Sequence, residues 1–204
     1  MYTEIHSYPL ADTIAFRKTT EAFGGLSNMA AWYGLCVNDI LIPSAEHLYQ
    51  SARFPLSPIV QDAIIKESNP MLAKQISKSF QHLTRPDWDE VKFDVMRWCL
   101  DVKLVQNWNR FSALLNSTEK KLIVEYTPDD KVWGAKKIGN TYIGPNALGK
   151  LLMEVREKAR QSSEQIVCVH PPSIPGFLLF NTQIGEICED TAVENSGFFE
   201  LELA

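Results

Sequence analysis

Trp88, Val91, Val95, Trp98, Val102 and Val105 recur at alternating spacings of three and four, the period of one buried stripe along an α-helix. A strand would scatter the same six side chains over both of its faces, because its side chains alternate with a period of two. The pattern therefore predicts a long helix from Pro86 onward. Its second face carries Lys92, Met96, Cys99 and Lys103, so a cleft lying against that side would meet two cations.

Other boundaries are written by capping residues. Ser57-Pro58 and Asn69-Pro70 each set a capping side chain before a proline at the first helical position, which predicts short helices over 58–67 and 70–79. Ser44, after Ile40-Leu41-Ile42 and Pro43, is a good N-cap and puts Glu46 in the first turn of a helix. Free backbone N–H groups and the helix dipole favour an ionised carboxylate there, so Glu46 suits a base or charge stabiliser better than an acid. A short helix is expected at about 110–116, a strand over Lys121–Tyr126 with its β-branched centre, and a helix over roughly 146–162 opened by Pro145. Beyond Gln161-Ser162-Ser163-Glu164 the composition changes. Ile166–Val169, Phe177–Phe180, Ile184–Cys188 and Phe198–Leu203 read as four short strands between proline, glycine and acidic turns. The expectation is a helix-dominated α+β fold: one domain over residues 1–160 and a small β-rich extension over 161–204.

A net charge of −5 argues against broad electrostatic capture of duplex nucleic acid, while leaving room for a small phosphorylated ligand held by a few cations such as Arg17, Arg53, Lys92 or Lys103. No apolar run approaches the length of a membrane span, and the first ten residues lack a basic start followed by an apolar stretch. A cytoplasmic location and no membrane partner are expected. Cys36, Cys99, Cys168 and Cys188 lie far apart and form no C-x-x-C pair, so they read as reduced core thiols. The four histidines lack partners at ligand spacing, and no metal site is expected.

Residues 127–149 gather Asp129, Asp130, Trp133, four glycines and two asparagines into one short, loop-like stretch. Composition leaves two readings of it. An acid, a flat indole and an open backbone at Gly134 can converge on a bound base or sugar, or the stretch is a surface loop that Trp133 anchors to the core. No G-x-G-x-x-G, P-loop or G-x-S-x-G motif is present. What remains is a set of carboxylates, Glu46 with Asp129 and Asp130, near aromatic residues in sequence. Such a set suits glycosidic bond cleavage, in which a nearby negative charge meets the developing oxocarbenium ion. The same residue types also occur as solvated surface groups, Trp88 also suits core packing, and Arg53 and Lys103 also suit snorkelling.

The order of several short segments adds to this. Phe23-Gly24-Gly25-Leu26-Ser27-Asn28, Ser44-Ala45-Glu46-His47-Leu48-Tyr49-Gln50-Ser51-Ala52-Arg53-Phe54, Asn69-Pro70 with Ala73-Lys74, and Trp88 with Lys92, Met96 and Lys103 come first. Asp130-Lys131-Val132-Trp133-Gly134 and Gly144-Pro145-Asn146-Ala147-Leu148-Gly149-Lys150-Leu151-Leu152-Met153 with Arg156 follow. In this order the chain resembles the NADAR, or YbiA-like, family over about residues 16–160.

The resemblance implies a single catalytic domain that hydrolyses N-glycosidic bonds in nucleotide-like substrates; no metal or redox cofactor is expected, because such a bond can break with acid–base and electrostatic help alone. It points to removal of ADP-ribose from modified guanine bases, with phosphorylated ribosylamino pyrimidines of riboflavin synthesis as the alternative substrate and a non-catalytic ADP-ribose or NAD sensor as the rival class. The implied partner is an ADP-ribose-containing nucleotide or an ADP-ribosylated base in nucleic acid, and homo-oligomerisation is left open. By the same resemblance Glu46 would activate water and stabilise charge on the ribose, and Asp130 would fix the ribose hydroxyls or assist proton transfer. Trp88, Trp133 and Gly134 would shape the pocket, Arg53 and Lys103 would neutralise phosphate, and Ser27, Asn28, Gly144 and Asn146 would complete the substrate contacts. Arg53 stands where many members carry lysine, which replaces a point cation by a planar fork, and Leu104 follows Lys103 where phenylalanine is usual.

Overall fold

The computed structural model describes residues 2–162 and 164–189. Its first elements are β1 (His6–Pro9), β2 (Thr13–Phe16), β3 (Leu35–Val37), β4 (Ile40–Ile42), α1 (Ala45–Ser51), α2 (Pro58–Lys66) and α3 (Pro70–Ser79). Then come α4 (Trp88–Gln106), α5 (Trp108–Ser117), β5 (Leu122–Glu125), β6 (Lys136–Ile138), β7 (Thr141–Gly144) and α6 (Ala147–Gln161). The short strands β8 (Cys168–Val169), β9 (Leu178–Leu179), β10 (Thr182–Gln183) and β11 (Ile187–Cys188) close the series. The fold class is α+β. The described residues divide into two compact units, one made of those up to Ala30 with those of Asn109–Gln165, the other of Ala31–Trp108 with those from Ile166 to Glu189.

In the first unit β1, β7 and β6 form an antiparallel sheet in that order, with His6 opposite Gly144 and Lys136 opposite Ile143. A parallel pair, β2 with β5, sets Thr13 beside Leu122, and α6 packs on β5. Buried Tyr8, Val124 and Ala135 form a cluster flanked by Ala15, Leu122 and Tyr142. Residues 127–149, loop-like by composition, contain the β6–β7 hairpin, which turns at Gly139-Asn140 with Gly139 at φ +57°. Only that glycine in the stretch needs the left-handed region. At Gly134 and Gly144 the reason is crowding: a Cβ would lie 2.5 Å from the Glu125 carbonyl oxygen and 2.8 Å from the Ala135 Cα, respectively.

In the second unit β3 and β4 form a hairpin through Asn38 and Asp39, at φ +52° and +62°, two residue types that tolerate this conformation. Helices α1, α2 and α3 pack on one another, with Phe54, Val60, Ile64 and Ala73 buried between them and Ile76 against the cluster. Asn69 caps α3 as its sequence suggests, its Oδ1 accepting from the Met71 N–H at 2.9 Å. Helix α4 keeps the expected stripe, but most of its second face does not meet solvent: Met96, Cys99 and Lys103 are buried as well, and only Lys92 is half-buried. The physical reason is that α1, β3, β8 and β11 all pack on α4, so its C-terminal half is enclosed on more than one side.

The expectation of four reduced thiols is corrected for two of them. Antiparallel pairing of β8 with β11 sets Cys168 opposite Cys188, and the two form a disulfide across twenty residues of sequence. Sequence spacing alone could not place them, because strand register decides which cysteines meet. Cys36 and Cys99 are free and buried. Of the four strands expected after residue 161, three regions contain strand, and a hairpin of β9 with β10, turning at Phe180-Asn181, adds a short one at Thr182–Gln183. The expected strand at Phe198–Leu203 lies outside the described residues. No helix among the described residues is long and apolar enough to cross a membrane.

Candidate active site

The residues singled out above divide between the units. Glu46, Arg53, Trp88 and Lys103 belong to the unit built on α1–α4, whereas Ser27, Asn28, Asp130, Trp133, Gly134, Gly144 and Asn146 belong to the other. Each set has its own local chemistry.

Glu46 and Gln50 lie one turn apart on one side of α1, and Arg53 follows in the turn just beyond the helix's C-terminus. Glu46 is 5% exposed, and its Oε1 accepts a hydrogen bond from Gln50 Nε2 at 2.8 Å. Lys74 Nζ, from α3, stands 4.0 Å from the same oxygen. Gln50 is held from behind, because its Oε1 accepts from the Ser77 hydroxyl and from Arg53 Nη1. Arg53 also donates to Ser77 Oγ and Thr84 Oγ1, and each of its three side-chain hydrogen bonds is 3.3 Å long. Its guanidinium lies 5.3 Å from the Trp88 ring, which in turn meets Tyr49 at 5.0 Å between centroids. Burial lowers the Arg53 pKa below its ordinary value, opposed by Tyr49, Asp89 and Glu46. One carboxylate, two cations and two aromatic rings thus share one patch of this unit.

Ser44 does not serve α1 as a side-chain cap. Its Oγ is 2.8 Å from His47 Nδ1, and His47 Nε2 is 2.8 Å from the Glu67 carbonyl. Since a carbonyl only accepts, Nε2 carries the proton and Nδ1 accepts from the serine hydroxyl. Burial, the largest cause, pushes the His47 pKa below 6.5. A depressed folded value means that the unfolded chain binds the proton more readily, so the stability from neutral His47 is complete above about pH 6.5 and is lost as pH falls through the folded value. A His47→Gln variant is expected to lose less Tm between pH 7 and pH 5 than the wild type. Equal losses in thermal melts would remove His47 from the acid transition.

Lys103 is completely buried, with its Nζ 4.6 Å from the centre of the Tyr33 ring. Desolvation holds its pKa well below 10.5. It is an interior amine rather than a solvated phosphate ligand in this structure.

In the other unit Asp130 organises the turn that follows it. Its Oδ1 accepts from the backbone N–H groups of Val132 and Trp133, at 2.7 and 2.6 Å. The carbonyls of Val132, Trp133 and Gly134 then accept from the N–H groups of Ala147, Leu148 and Asn146, at 3.1, 3.0 and 3.0 Å. The D-x-x-W-G segment therefore caps the start of α6 and occupies donors that a phosphate would otherwise use. Asn146 sits at φ +52°, fully buried, and its amide bridges β5 by donating to the Ile123 carbonyl at 2.8 Å and accepting from the Glu125 N–H at 3.1 Å. Ser27 and Asn28 are buried after a 3-10 turn at Gly24–Leu26, and Ser27 Oγ accepts from the Met29 N–H. A Cβ at Gly24 would fall 1.9 Å from the Thr19 carbonyl oxygen.

Sequence reasoning missed Tyr49, Gln50, Ser77 and Thr84 as parts of the Glu46–Arg53 patch. Gln50 had a readable signal, its spacing of four from Glu46 within one helix. Ser77 and Thr84 had none, because they reach the patch only through the packing of α3 and the following turn.

Comparison with known proteins agrees with this architecture. The NADAR domain model matches residues 15–160. The N-glycosidase YbiA of Escherichia coli is 36% identical over 150 residues, which span 73% of this chain and 90% of that protein. The NMR structure of E. coli YbiA superimposes with a TM-score of 0.62 at 34% identity, covering 72% of this chain and 84% of YbiA. A riboflavin biosynthesis protein of Vibrio vulnificus is 28% identical over 158 residues, spanning 78% of this chain and 41% of that protein. With the family's segments present in order and its fold reproduced, the chain belongs to the NADAR domain family.

Proposed function

We propose that this chain is an N-glycosidase for a nucleotide-type substrate and, more specifically, that it removes ADP-ribose from a modified guanine base. The observation that carries the reading is the setting of Glu46, a carboxylate almost wholly out of water, fixed by Gln50 and faced by Lys74. As an N-glycosidic bond breaks, positive charge grows on the ribose ring and a water must be brought to the anomeric carbon. A carboxylate locked beforehand in a low-dielectric setting stabilises that charge without reorganising and accepts the water's proton.

Arg53 and the Tyr49–Trp88 pair extend the same patch. The three 3.3 Å bonds of Arg53 lie just beyond the usual N–H···O range. Shorter, charge-assisted bonds to a diphosphate would replace them favourably, and the rings offer a stacking surface for a base. On this reading Asp130 is a positioning residue for the Trp133 turn.

The test offers ADP-ribosylated guanosine and a phosphorylated ribosylamino pyrimidine separately and resolves the products by chromatography. Free ADP-ribose from the first, with the second left intact, is the expected result. Turnover of the pyrimidine substrate alone would replace this reading by the second one, which the riboflavin biosynthesis protein of V. vulnificus favours. Tight ADP-ribose binding with no product from either substrate would make the chain a sensor.

A further inference from the structure

Strands β8 and β11 form a two-stranded ribbon with Val169 opposite Ile187 and Cys168 opposite Cys188. Side chains alternate along a strand, so buried Val169 and Ile187 share one face while the cysteines share the other. One further step in the same phase adds His170 beyond Cys168 and Glu186 before Cys188, both exposed. The two sulfurs and a Glu186 carboxylate oxygen lie within 4.8 Å of one another, and His170 Nε2 is 3.2 Å from Glu186 Oε1. Two cysteine sulfurs, an imidazole and a carboxylate thus gather on the outer face of one ribbon. Borderline-soft zinc takes this donor set, in tetrahedral geometry.

We propose that this ribbon is a redox-gated zinc site, in which reduced Cys168 and Cys188 bind Zn²⁺ together with His170 and Glu186, and the disulfide is the metal-free form. Opening the disulfide takes two electrons and two protons from a dithiol, which becomes a disulfide itself. Zinc then displaces both thiol protons, binding two thiolates, one neutral imidazole nitrogen and one carboxylate oxygen. Oxidation reverses the cycle: an incoming disulfide takes up the two electrons, the Cys168–Cys188 bond forms and Zn²⁺ leaves. Bonds of about 2.3 Å set the two sulfurs roughly 3.8 Å apart in a tetrahedron, a separation that residues opposed across a ribbon can span. The motifs C-x-H and E-x-C look like nothing in sequence; antiparallel register turns them into one donor set. The site lies outside residues 15–160, the part of the chain that matches the NADAR model.

The experiment uses the full chain, reduced with a phosphine, freed of reductant without oxygen, and titrated first with Co²⁺ and then with Zn²⁺. One equivalent of Co²⁺ should give thiolate-to-cobalt charge-transfer absorption and tetrahedral d–d bands, both of which Zn²⁺ abolishes. The oxidised chain should give neither. A Cys168→Ser/Cys188→Ser variant should lose the bands while buried Cys36 and Cys99 remain as an internal control. His170→Gln and Glu186→Gln, at exposed positions that leave folding undisturbed, should each weaken binding at least about tenfold. The proposal is overturned if the reduced chain gives no cobalt–thiolate band, if the band survives in the double serine variant, or if neither exposed variant changes the affinity.

Discussion

A Glu46→Gln variant is expected to lose on the order of a thousandfold in kcat, with a small change in KM and an unchanged far-UV circular dichroism spectrum. Glutamine has the same shape and keeps an oxygen for the Gln50 amide, whose present bond to Glu46 is 2.8 Å. Only the charge is removed. Since the growing positive charge on the ribose exists in the transition state and not in the bound substrate, its loss falls on kcat. Release of ADP-ribose measured under saturating substrate decides the matter, and turnover within a factor of a few of the wild type would strip Glu46 of its role. Thermal stability should hold or rise, because a buried negative charge is no longer enclosed.

A large stability effect is expected at Gly149. A Cβ there would lie 2.1 Å from the Ile123 carbonyl oxygen and 2.5 Å from both amide atoms of Asn146. None of these neighbours can swing aside freely: the carbonyl belongs to β5, and the amide is hydrogen-bonded to that strand at both ends. Overpacking of about 1–3 kcal/mol adds to about 1–3 kcal/mol for buried polar groups left unpaired, and alanine's better helix propensity returns only about 1 kcal/mol. A Gly149→Ala variant should therefore lose about 3 kcal/mol in urea unfolding. Gly139→Ala is the control. Nothing lies within 4 Å of its Cβ position, so only the φ of +57° is penalised, at about 1–2 kcal/mol. Equal losses in the two variants would mean that α6 and β5 do not meet through Gly149 as described.

The helices were largely legible because their signals are local. Asn69-Pro70 states where α3 begins, and the spacing from Trp88 to Val105 states that α4 exists, with no reference to the rest of the chain. β1, β2, β6 and β7 were not legible. They are three or four residues long, too short to show alternation, and they are stabilised by partners that only the folded chain supplies. The same reason hid the Cys168–Cys188 bond. At the site, a helix-start glutamate could be read from Ser44-x-Glu46, but its burial and the Ser77 and Thr84 contacts that hold Gln50 and Arg53 could not. Asp130, Gly134 and Gly144 drew notice for their residue types. In the folded chain Asp130 fixes a turn, and the two glycines let neighbouring backbones approach.

The division into units has a consequence for how the chain comes to be folded at all. The pairing of Thr13 with Leu122 and of His6 with Gly144 joins strands whose partners lie more than a hundred residues downstream. Between them runs the whole of Ala31–Trp108, which belongs to the other unit, and that unit gains its β8–β11 ribbon only from chain made after α6. Neither unit can therefore finish on the ribosome before most of the polypeptide has emerged. Early α1–α4 helices can form and cluster locally, while the first two strands wait unpaired. Refolding should accordingly be slow for a protein of this size, with helical signal returning ahead of the sheets.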